Sequence, residues 1–249
     1  MASDEITTVG MLGGGVMGGG IAQVVAVAGY RVVLRDLTPE LLDKTRETVV
    51  DGRFGLRAGV QRGKLTDAEM EAALGRIAFT TEMGDLRDVD LLIEAVPENL
   101  DLKRKVFAEL DALVRPGAII ATNTSGFALA DLSPAVSRKE RFAGMHWFSP
   151  VPAMKLVEVI HGPGTSEETV RRLEAVAEKA GKVPIRVKDA PGKYGFVANR
   201  IYYAAVAEAR KILEEGVASE DDINKAMVYG FNWPVGPLAM TAGARSGWK

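Results

Sequence analysis

The sequence predicts an α/β fold, in which a doubly wound sheet of mostly parallel strands is followed by a small all-α C-terminal domain. Apolar strand patterns alternate with amphipathic helix patterns, a glycine-rich turn joins the first strand to the first helix, and helix patterns follow residue 190. A junction rich in helix and strand breakers, 188–192, separates the two parts. The predicted domains are therefore residues 1–189 and 190–249.

The first strand pattern covers residues 6–12, and the glycine-rich turn 13–18 follows at once. A helix pattern closed by Gly29 and a second strand pattern, 30–35, come next. This G-x-G-x-x-G turn, with an acid after the second strand, has the context that dinucleotide binding requires. It predicts a Rossmann-type cofactor site with free N–H groups at the helix N-terminus. The predicted contacts in the turn are Gly13, Gly15, Val16, Met17 and Gly18.

Asp36, at the end of the second strand, predicts which dinucleotide binds. A carboxylate there accepts hydrogen bonds from the adenosine ribose hydroxyls and repels a 2′-phosphate. The sequence therefore favours NAD over NADP, although the neighbouring Arg35 offers a cation to a 2′-phosphate.

Later elements continue the alternation: helices opening at Thr38 and Thr66, strands at 77–80, 91–96 and 118–122, and a helix at 100–113. Thr38 precedes a proline suited to the first helical turn, and Thr66 forms a capping box with Glu69. Ligands of such sheets bind at the carboxyl ends of the strands. Four residues are expected there: Gly13, Asp36, Glu98 and Ser125.

The segment 144–160 carries two groups suited to proton transfer. His146 is one of two histidines, and the unperturbed imidazole pKa of about 6.5 suits catalysis near neutral pH. Glu158 lies in an apolar strand pattern, where a carboxylate is costly to bury without a partner. The prolines at 150 and 152 let the chain fold back, so the two groups can meet. A core histidine beside an unrelated strand acid explains this segment equally well.

The second predicted domain contains a helix over about 196–215, a second helix capped at Ser219, and an irregular or weakly helical segment, 233–249. The first of these helices has an apolar stripe that includes Val197, Ile201 and Ile212. So small a unit is expected to bury such a surface in a symmetric contact, which predicts a homodimer.

Composition is typical of a cytoplasmic enzyme. A chain of 249 residues, 47% of them hydrophobic, can bury a large core, and its net charge of −2 gives no basic field for nucleic acid. Cysteine is absent, so no thiolate metal site or cysteine nucleophile is predicted. The acidic N-terminus is unlike a targeting peptide, and no apolar run approaches the roughly 20 residues that span a bilayer.

Taken together, these motifs resemble the L-3-hydroxyacyl-CoA dehydrogenase family, which includes bacterial 3-hydroxybutyryl-CoA dehydrogenases. The resemblance extends over nearly the whole chain and lies in residues 13–23, 94–103, 123–125, 144–160, 195–200 and 233–237. It implies a Rossmann-type domain followed by a helical, usually dimerising domain. It also implies that NAD accepts hydride as a 3-hydroxyacyl-CoA is oxidised to the 3-ketoacyl-CoA.

The resemblance also implies residue roles. His146 matches the general base and Glu158 the acid that orients it, whereas Ser125 and Asn199 match the residues that hold the 3-oxygen. The remaining matched cofactor contacts are Glu98, Lys103, Asn123 and Ser149.

Three of these residues also have simpler interpretations. Ser125 could cap a helix, Asn199 could face solvent, and Lys103 could be a solvated helix lysine.

Three features depart from the family pattern, and one of them is a short insertion at 193–195, at the domain junction. Ser149 stands where the family usually has asparagine, and a hydroxyl is shorter and offers fewer hydrogen bonds than an amide. The sequence stops at Lys249, where relatives usually continue through a further cofactor-contacting loop, so a natural short form and a fragment both remain open.

Substrate identity leaves alternatives open. A coenzyme A substrate calls for cations facing its phosphates, and Arg57 and Lys64 in the basic segment 50–65 are the predicted contacts, unless this is simply a solvated charged helix. A dehydrogenase of a free hydroxy acid or sugar acid would need a cationic pocket for the carboxylate. A non-catalytic NAD-binding protein is the third possibility, because fold alone does not fix function.

Overall fold

The computed structural model describes residues 5–240, and its centre is an eight-stranded sheet. The strands are β1 (Thr8–Leu12), β2 (Arg31–Arg35), β3 (Ile77–Thr80), β4 (Leu91–Glu94), β5 (Ile119–Thr122), β6 (Phe142–Trp147), β7 (Leu156–His161) and β8 (Val183–Lys188). Their order is β3-β2-β1-β4-β5-β6-β7-β8. β6 and β7 are antiparallel, and every other neighbouring pair of these strands is parallel. The predicted doubly wound α/β fold is confirmed.

The helices of the described chain are α1 (Val16–Val27), α2 (Pro39–Asp51), α3 (Leu56–Gln61), α4 (Asp67–Gly75), α5 (Leu100–Leu113), α6 (Leu129–Leu132), α7 (Glu167–Lys179), α8 (Val197–Glu214) and α9 (Glu220–Phe231). Every residue of β4, β5 and β6 is buried, as expected for strands covered on both faces. The sheet therefore forms the core on which the strand ends are held.

The predicted bounds or the predicted N-terminal caps of several elements are confirmed. The strand 77–80 and the helix 100–113 have the predicted bounds. The Thr38 side chain caps α2, and Thr66 and Glu69 form the predicted capping box of α4. These signals were readable because a cap and the N–H groups that it binds lie within one helical turn.

The elements without a prediction include α7 and β8. α7 begins after the Ser166 cap with two acids in its first turn, so a readable signal was present. β8 contains Pro184 and the two basic residues Arg186 and Lys188, and it lies at the edge of the sheet, where proline and charge are tolerated. Its sequence therefore lacks the apolar pattern of a central strand.

The chain forms two compact units, residues 1–194 and 195–249, whereas the sequence placed the boundary at 189/190. In the second unit, Ala209 of α8, Ile223 of α9 and Leu238 form a small apolar core. The predicted irregular segment 233–249 contains a helical turn at 237–240, and its remainder, 241–249, lies outside the described residues. The acidic start of the chain, residues 1–4, also lies outside them.

None of the helices between residues 5 and 240 is long and apolar enough to cross a membrane. Over the same residues, no three His, Asp or Glu side chains are grouped so that they could hold a metal ion. The cytoplasmic location stays a prediction.

A substitution at Gly18 tests how closely α1 packs on the glycine-rich turn, because a Cβ atom at this position would overlap the carbonyl oxygen of Gly13. Gly18→Ala is expected to lower the free energy of unfolding by about 1–3 kcal/mol, the usual cost of overpacking. Gly75→Ala is the control, because open space surrounds this residue of α4 and alanine favours a helix by about 0.5–1 kcal/mol. Thermal unfolding measures both variants, and equal midpoints would contradict the close packing of α1.

Candidate active site

A cleft of about 690 Å³ lies at the carboxyl ends of β1, β2 and β4. Its lining includes the backbone of the glycine-rich turn and the charged residues Arg35, Asp36, Lys105 and Glu109, while Leu37, Leu41 and Leu102 are among its apolar residues. The predicted turn residues that face it are Gly13, Gly15, Val16 and Met17. The size of the cleft and its mixture of apolar walls with a few polar groups are typical of small-molecule sites.

The glycine-rich turn has the backbone that a bound phosphate needs. Gly13 has a φ of +95°, which side-chain-bearing residues rarely adopt, and a Cβ atom there would lie 2.8 Å from the Ala95 carbonyl oxygen. A Cβ at Gly15 would meet no atom within 4 Å, so the backbone is open to close approach. Gly15 also begins α1 without a side-chain cap, which leaves the first N–H groups of the helix for an anion.

Asp36 and Thr45 hold the turn at Gly14. Asp36 Oδ2 accepts a hydrogen bond from the Gly14 N–H at 2.6 Å, and its Oδ1 accepts from the Leu37 N–H at 2.7 Å. The Thr45 hydroxyl donates to the Gly14 carbonyl oxygen at 2.8 Å. Each carboxylate oxygen of Asp36 retains lone-pair capacity for ribose hydroxyls. Sequence reasoning missed Thr45, because a threonine inside a helix gives no signal of such a contact.

The Arg35 side chain is hydrogen-bonded to the backbone at Thr81. Its Nε donates to the Thr81 carbonyl oxygen at 3.1 Å, although the residue also lines the cleft. At this strand end the Asp36 side chain contacts the glycine-rich turn, whereas the Arg35 side chain contacts Thr81.

Glu98, Lys103 and Ser125 belong to one polar network beyond the ends of β4 and β5. Lys103 is 1% exposed, and its Nζ lies 2.6 Å from Glu94 and 3.3 Å from Glu98. The interpretation of Lys103 as a solvated helix lysine is wrong, because α5 turns this side chain into the protein to meet the buried Glu94 carboxylate. Glu98 Oε1 accepts from the Ser125 N–H at 2.9 Å and from the Thr124 hydroxyl at 2.6 Å.

Ser125 follows β5 and precedes no helix directly. The next helix, α6, begins after Ala128, so the interpretation of Ser125 as a helix cap is wrong. Asp189 instead binds the N–H groups at the start of α6, those of Leu129 and Ala130, at 3.0 and 2.9 Å. The Ser125 hydroxyl is therefore not committed to capping α6.

His146 and Glu158 meet as predicted from the intervening prolines. They are register partners across β6 and β7, and His146 Nδ1 lies 2.7 Å from Glu158 Oε2. His146 is 4% exposed and Glu158 is fully buried. A proton on Nδ1 directed at this carboxylate leaves Nε2 as the basic nitrogen of neutral imidazole. The interpretation of an unrelated core histidine and strand acid is therefore wrong.

Two buried polar side chains fix the chain around this pair. Asn123 Oδ1 accepts from the Trp147 N–H at 2.9 Å, which ties the end of β5 to the end of β6. Lys182 donates to the carbonyl oxygens of Val151 and Met154 at 2.6 and 2.8 Å. Burial lowers the pKa of the Lys182 ammonium. Sequence reasoning missed Lys182, because its partners lie about thirty residues away along the chain.

The connection between β6 and β7 also rests on α1. A Cβ atom on Gly20 would lie 3.0 Å from Val151 Cβ, so the absence of a side chain at Gly20 lets the connection approach the helix. The helix that follows the glycine-rich turn and the connection that joins His146 to Glu158 are thus in direct contact.

The other predicted site residues lie on other elements of the chain. Ser149 is exposed on the β6–β7 connection, and Asn199 lies in the first turn of α8 in the second unit. Arg57 pairs with Asp51 at 2.7 Å, and hydrogen bonding to that carboxylate raises its pKa. Lys64 is exposed beyond α3. Neither Arg57 nor Lys64 is among the described residues that line the 690 Å³ cleft.

Comparison with known protein families gives two adjoining matches. Residues 8–190 match the family model described as 3-hydroxyacyl-CoA dehydrogenase, NAD binding domain. Residues 195–245 match the model of the 3-hydroxyacyl-CoA dehydrogenase C-terminal domain. The two matches together cover most of the chain.

Individual relatives agree with these matches. A probable 3-hydroxybutyryl-CoA dehydrogenase of Deinococcus radiodurans is 44% identical over 93% of this chain and 81% of its own length. One from Bacillus subtilis is 38% identical over 95% of this chain and 80% of its own length. The crystal structure of (S)-3-hydroxybutyryl-CoA dehydrogenase from Ralstonia eutropha has a TM-score of 0.90 and 44% identity, over 95% of this chain and 81% of that one.

Proposed function

Because the chain belongs to the 3-hydroxyacyl-CoA dehydrogenase family, whose first domain binds NAD, we propose that it oxidises the 3-hydroxyl group of an L-3-hydroxyacyl-CoA to a ketone. The observation that carries the proposal is the buried pair of His146 and Glu158, with 2.7 Å between Nδ1 and Oε2. β6 brings His146 to the carboxyl edge of the parallel strands, the edge at which the cleft opens.

The residues of the cleft fit NAD. Gly15 leaves its backbone open to a pyrophosphate, α1 directs free N–H groups there, and Asp36 has acceptor capacity for the adenosine ribose. Bound NAD supplies the acceptor for the hydride that leaves C3 of the substrate. Glu98 and Asn123 are proposed as further cofactor contacts, together with Ser149.

His146 acts as the general base of this proposal. Its Nε2 takes the proton of the 3-hydroxyl as the O–H bond breaks, and the electron pair left on oxygen forms the carbonyl as hydride leaves C3. Glu158 holds Nδ1–H and so sets the ring orientation and the tautomer. Its buried carboxylate also stabilises the imidazolium that forms, because opposite charges interact strongly where water is excluded.

Ser125 and Asn199 are proposed to hold the 3-oxygen. Ser125 is fixed through its backbone N–H by Glu98, so its hydroxyl can serve as the hydrogen-bonding group. Lys103 contributes indirectly, because its Nζ is already in contact with Glu94 and Glu98. Arg57 and Lys64 are proposed to face the phosphates of coenzyme A.

Comparing two substrates tests the proposal. The formation of NADH is followed by absorbance with 3-hydroxybutyryl-CoA and with free 3-hydroxybutyrate at equal concentrations. Turnover of the thioester and little of the free acid is expected. Faster turnover of the free acid would instead indicate a hydroxy-acid dehydrogenase, and no turnover of any 3-hydroxyacyl-CoA would contradict the proposal.

His146→Ala is expected to reduce kcat by roughly 10²–10⁴-fold, the usual effect of losing a general base. Glu158→Gln is expected to reduce kcat as well, because the imidazolium loses its counter-charge. NAD affinity, measured by calorimetry, is expected to stay close to that of the wild type in both. His161→Ala is the control, since it removes the other histidine at the far end of β7. Turnover by His146→Ala equal to that of His161→Ala would remove His146 from its role.

Asp36→Ala is expected to weaken NAD binding and to narrow the preference for NAD over NADP, because both the ribose acceptor and the charge that repels a 2′-phosphate are lost. Kinetics with each cofactor measure the preference. Asp43→Ala, which removes an exposed carboxylate on α2, is the matched control. Comparable use of NADP and NAD by the wild type would rule out this role for Asp36.

A homodimer through the second unit is part of the proposal. The described part of this unit has an apolar groove of about 320 Å³ lined by α8 and α9, and Tyr229 and Phe231 are 84% and 74% exposed. Apolar surface of this kind favours a symmetric contact. Size-exclusion chromatography with light scattering is expected to give twice the chain mass of 26.7 kDa, and Phe231→Asp is expected to lower it. A wild-type mass of 26.7 kDa would exclude the dimer.

A further inference from the structure

The ends of β4 and β5 are joined by a closed ring of hydrogen bonds and ion pairs, in which every link but one joins two side chains and the remaining link is donated by the Thr124 backbone N–H. Its members are Glu94, Lys103, Glu98, Thr124 and Thr122. Glu94, the last residue of β4, is fully buried, and it belongs to neither the proposed proton transfer nor the cofactor cleft.

The Glu94 carboxylate is satisfied by three donors. Oε1 accepts from Lys103 Nζ at 2.6 Å and from the Val96 N–H at 2.7 Å, and Oε2 accepts from the Thr122 hydroxyl at 2.7 Å. The bonds to Lys103 and Thr122 join β4 to α5 and to β5, and the bond to Val96 shapes the chain just after the strand. Glu94 is thus the meeting point of three segments.

From Glu94 the ring runs in both directions to Glu98. On one side Lys103 Nζ lies 3.3 Å from Glu98 Oε2. On the other side the Thr124 N–H donates to the Thr122 hydroxyl at 3.2 Å, and the Thr124 hydroxyl donates to Glu98 Oε1 at 2.6 Å. Glu98, which is 31% exposed, closes the ring and accepts the Ser125 N–H from outside it.

The distances indicate how the charges are shared. The Lys103 ammonium is nearer to Glu94 than to Glu98, at 2.6 against 3.3 Å, so Glu94 holds it back from Glu98. Without the Glu94 charge, an ammonium that is 1% exposed would close on its remaining carboxylate, since charge-assisted hydrogen bonds favour about 2.7–2.9 Å. Glu98 would then be drawn away from the Ser125 N–H.

A contribution to stability does not by itself account for such a ring. Buried ion pairs contribute little net stability, because desolvation of the charges offsets their attraction, and apolar replacements are often as stable. What the ring supplies is a fixed position for its one partly exposed member, Glu98, and for the Ser125 backbone next to it.

We propose that Glu94 is a positioning residue, which acts through Lys103 and Thr122 to fix Glu98 and the backbone of Ser125 at the carboxyl edge of the sheet. The catalytic meaning of this placement rests on the proposed function, in which Ser125 holds the 3-oxygen. The placement itself does not depend on that function.

Glu94→Gln tests the inference, because it removes the charge while keeping the shape of the side chain. Hydrogen–deuterium exchange of the protein without NAD or substrate is expected to become faster over 122–127, where the Ser125 N–H loses its partner. The change is expected to be confined to this segment and to 94–103. With 3-hydroxybutyryl-CoA, kcat/KM is expected to fall by about 10- to 100-fold, the scale that a small misplacement costs.

Asp101→Asn is the matched control, since it makes the same chemical change on α5 at a side chain that is 95% exposed. Exchange and kcat/KM are expected to equal those of the wild type. If the single variant fails to fold, the double variant Glu94→Gln/Lys103→Met replaces it in both measurements. The double variant removes both charges of the buried pair, so neither charge is left without its partner. In this double variant, exchange over 122–127 is expected to be faster than in the wild type, and kcat/KM is expected to be lower than in the wild type.

Wild-type exchange over 122–127 in Glu94→Gln would overturn the inference, as would restored exchange and turnover in the double variant. Faster exchange spread over the whole chain would also overturn it, because that result indicates a general loss of stability. If the wild type fails to oxidise any 3-hydroxyacyl-CoA, the proposed function fails, and the exchange measurement still decides whether Glu94 fixes Ser125.

Discussion

Glu158 is fully buried, and its carboxylate meets His146 Nδ1 at 2.7 Å. An unpaired carboxylate at this depth would cost several kcal/mol, so the pair constrains how β6 and β7 align. Because side chains alternate along a strand, a slip of one residue would turn Glu158 to the opposite face and leave His146 behind. The antiparallel register and the orientation of the imidazole are both tied to this contact.

The connection between β6 and β7 transmits that constraint to the cofactor site. Lys182 holds the carbonyl groups of Val151 and Met154, and Val151 packs where Gly20 leaves room on α1. The same α1 begins at Gly15, beside the cleft. His146 and the glycine-rich turn are therefore parts of one packed structure within the first unit, which is the geometry that the proposed removal of a hydride from C3 and of a proton from its hydroxyl group would need.

Two buried carboxylates at the carboxyl edge of the sheet use the same physical principle in different ways. Glu158 faces the His146 imidazole, and the proposed function uses this pair for proton transfer. Glu94 faces the Lys103 ammonium at 2.6 Å, so burial there favours a fixed geometry. In both cases low exposure strengthens the interaction between the carboxylate and its partner.

The sequence by itself determined the features whose interacting residues lie close together along the chain. The glycine-rich turn, Asp36, the helix caps and the helix Leu100–Leu113 depend on residues a few positions apart. The prolines at 150 and 152 allowed His146 and Glu158 to meet, and the structure decided between that pair and an unrelated core histidine and strand acid. The tertiary structure alone decided the roles of Thr45, Lys182 and Glu94, whose partners lie 28 to 31 residues away in several contacts. Such contacts form only when packing brings distant segments together, and buried polar groups then pair with whatever donors and acceptors are within reach.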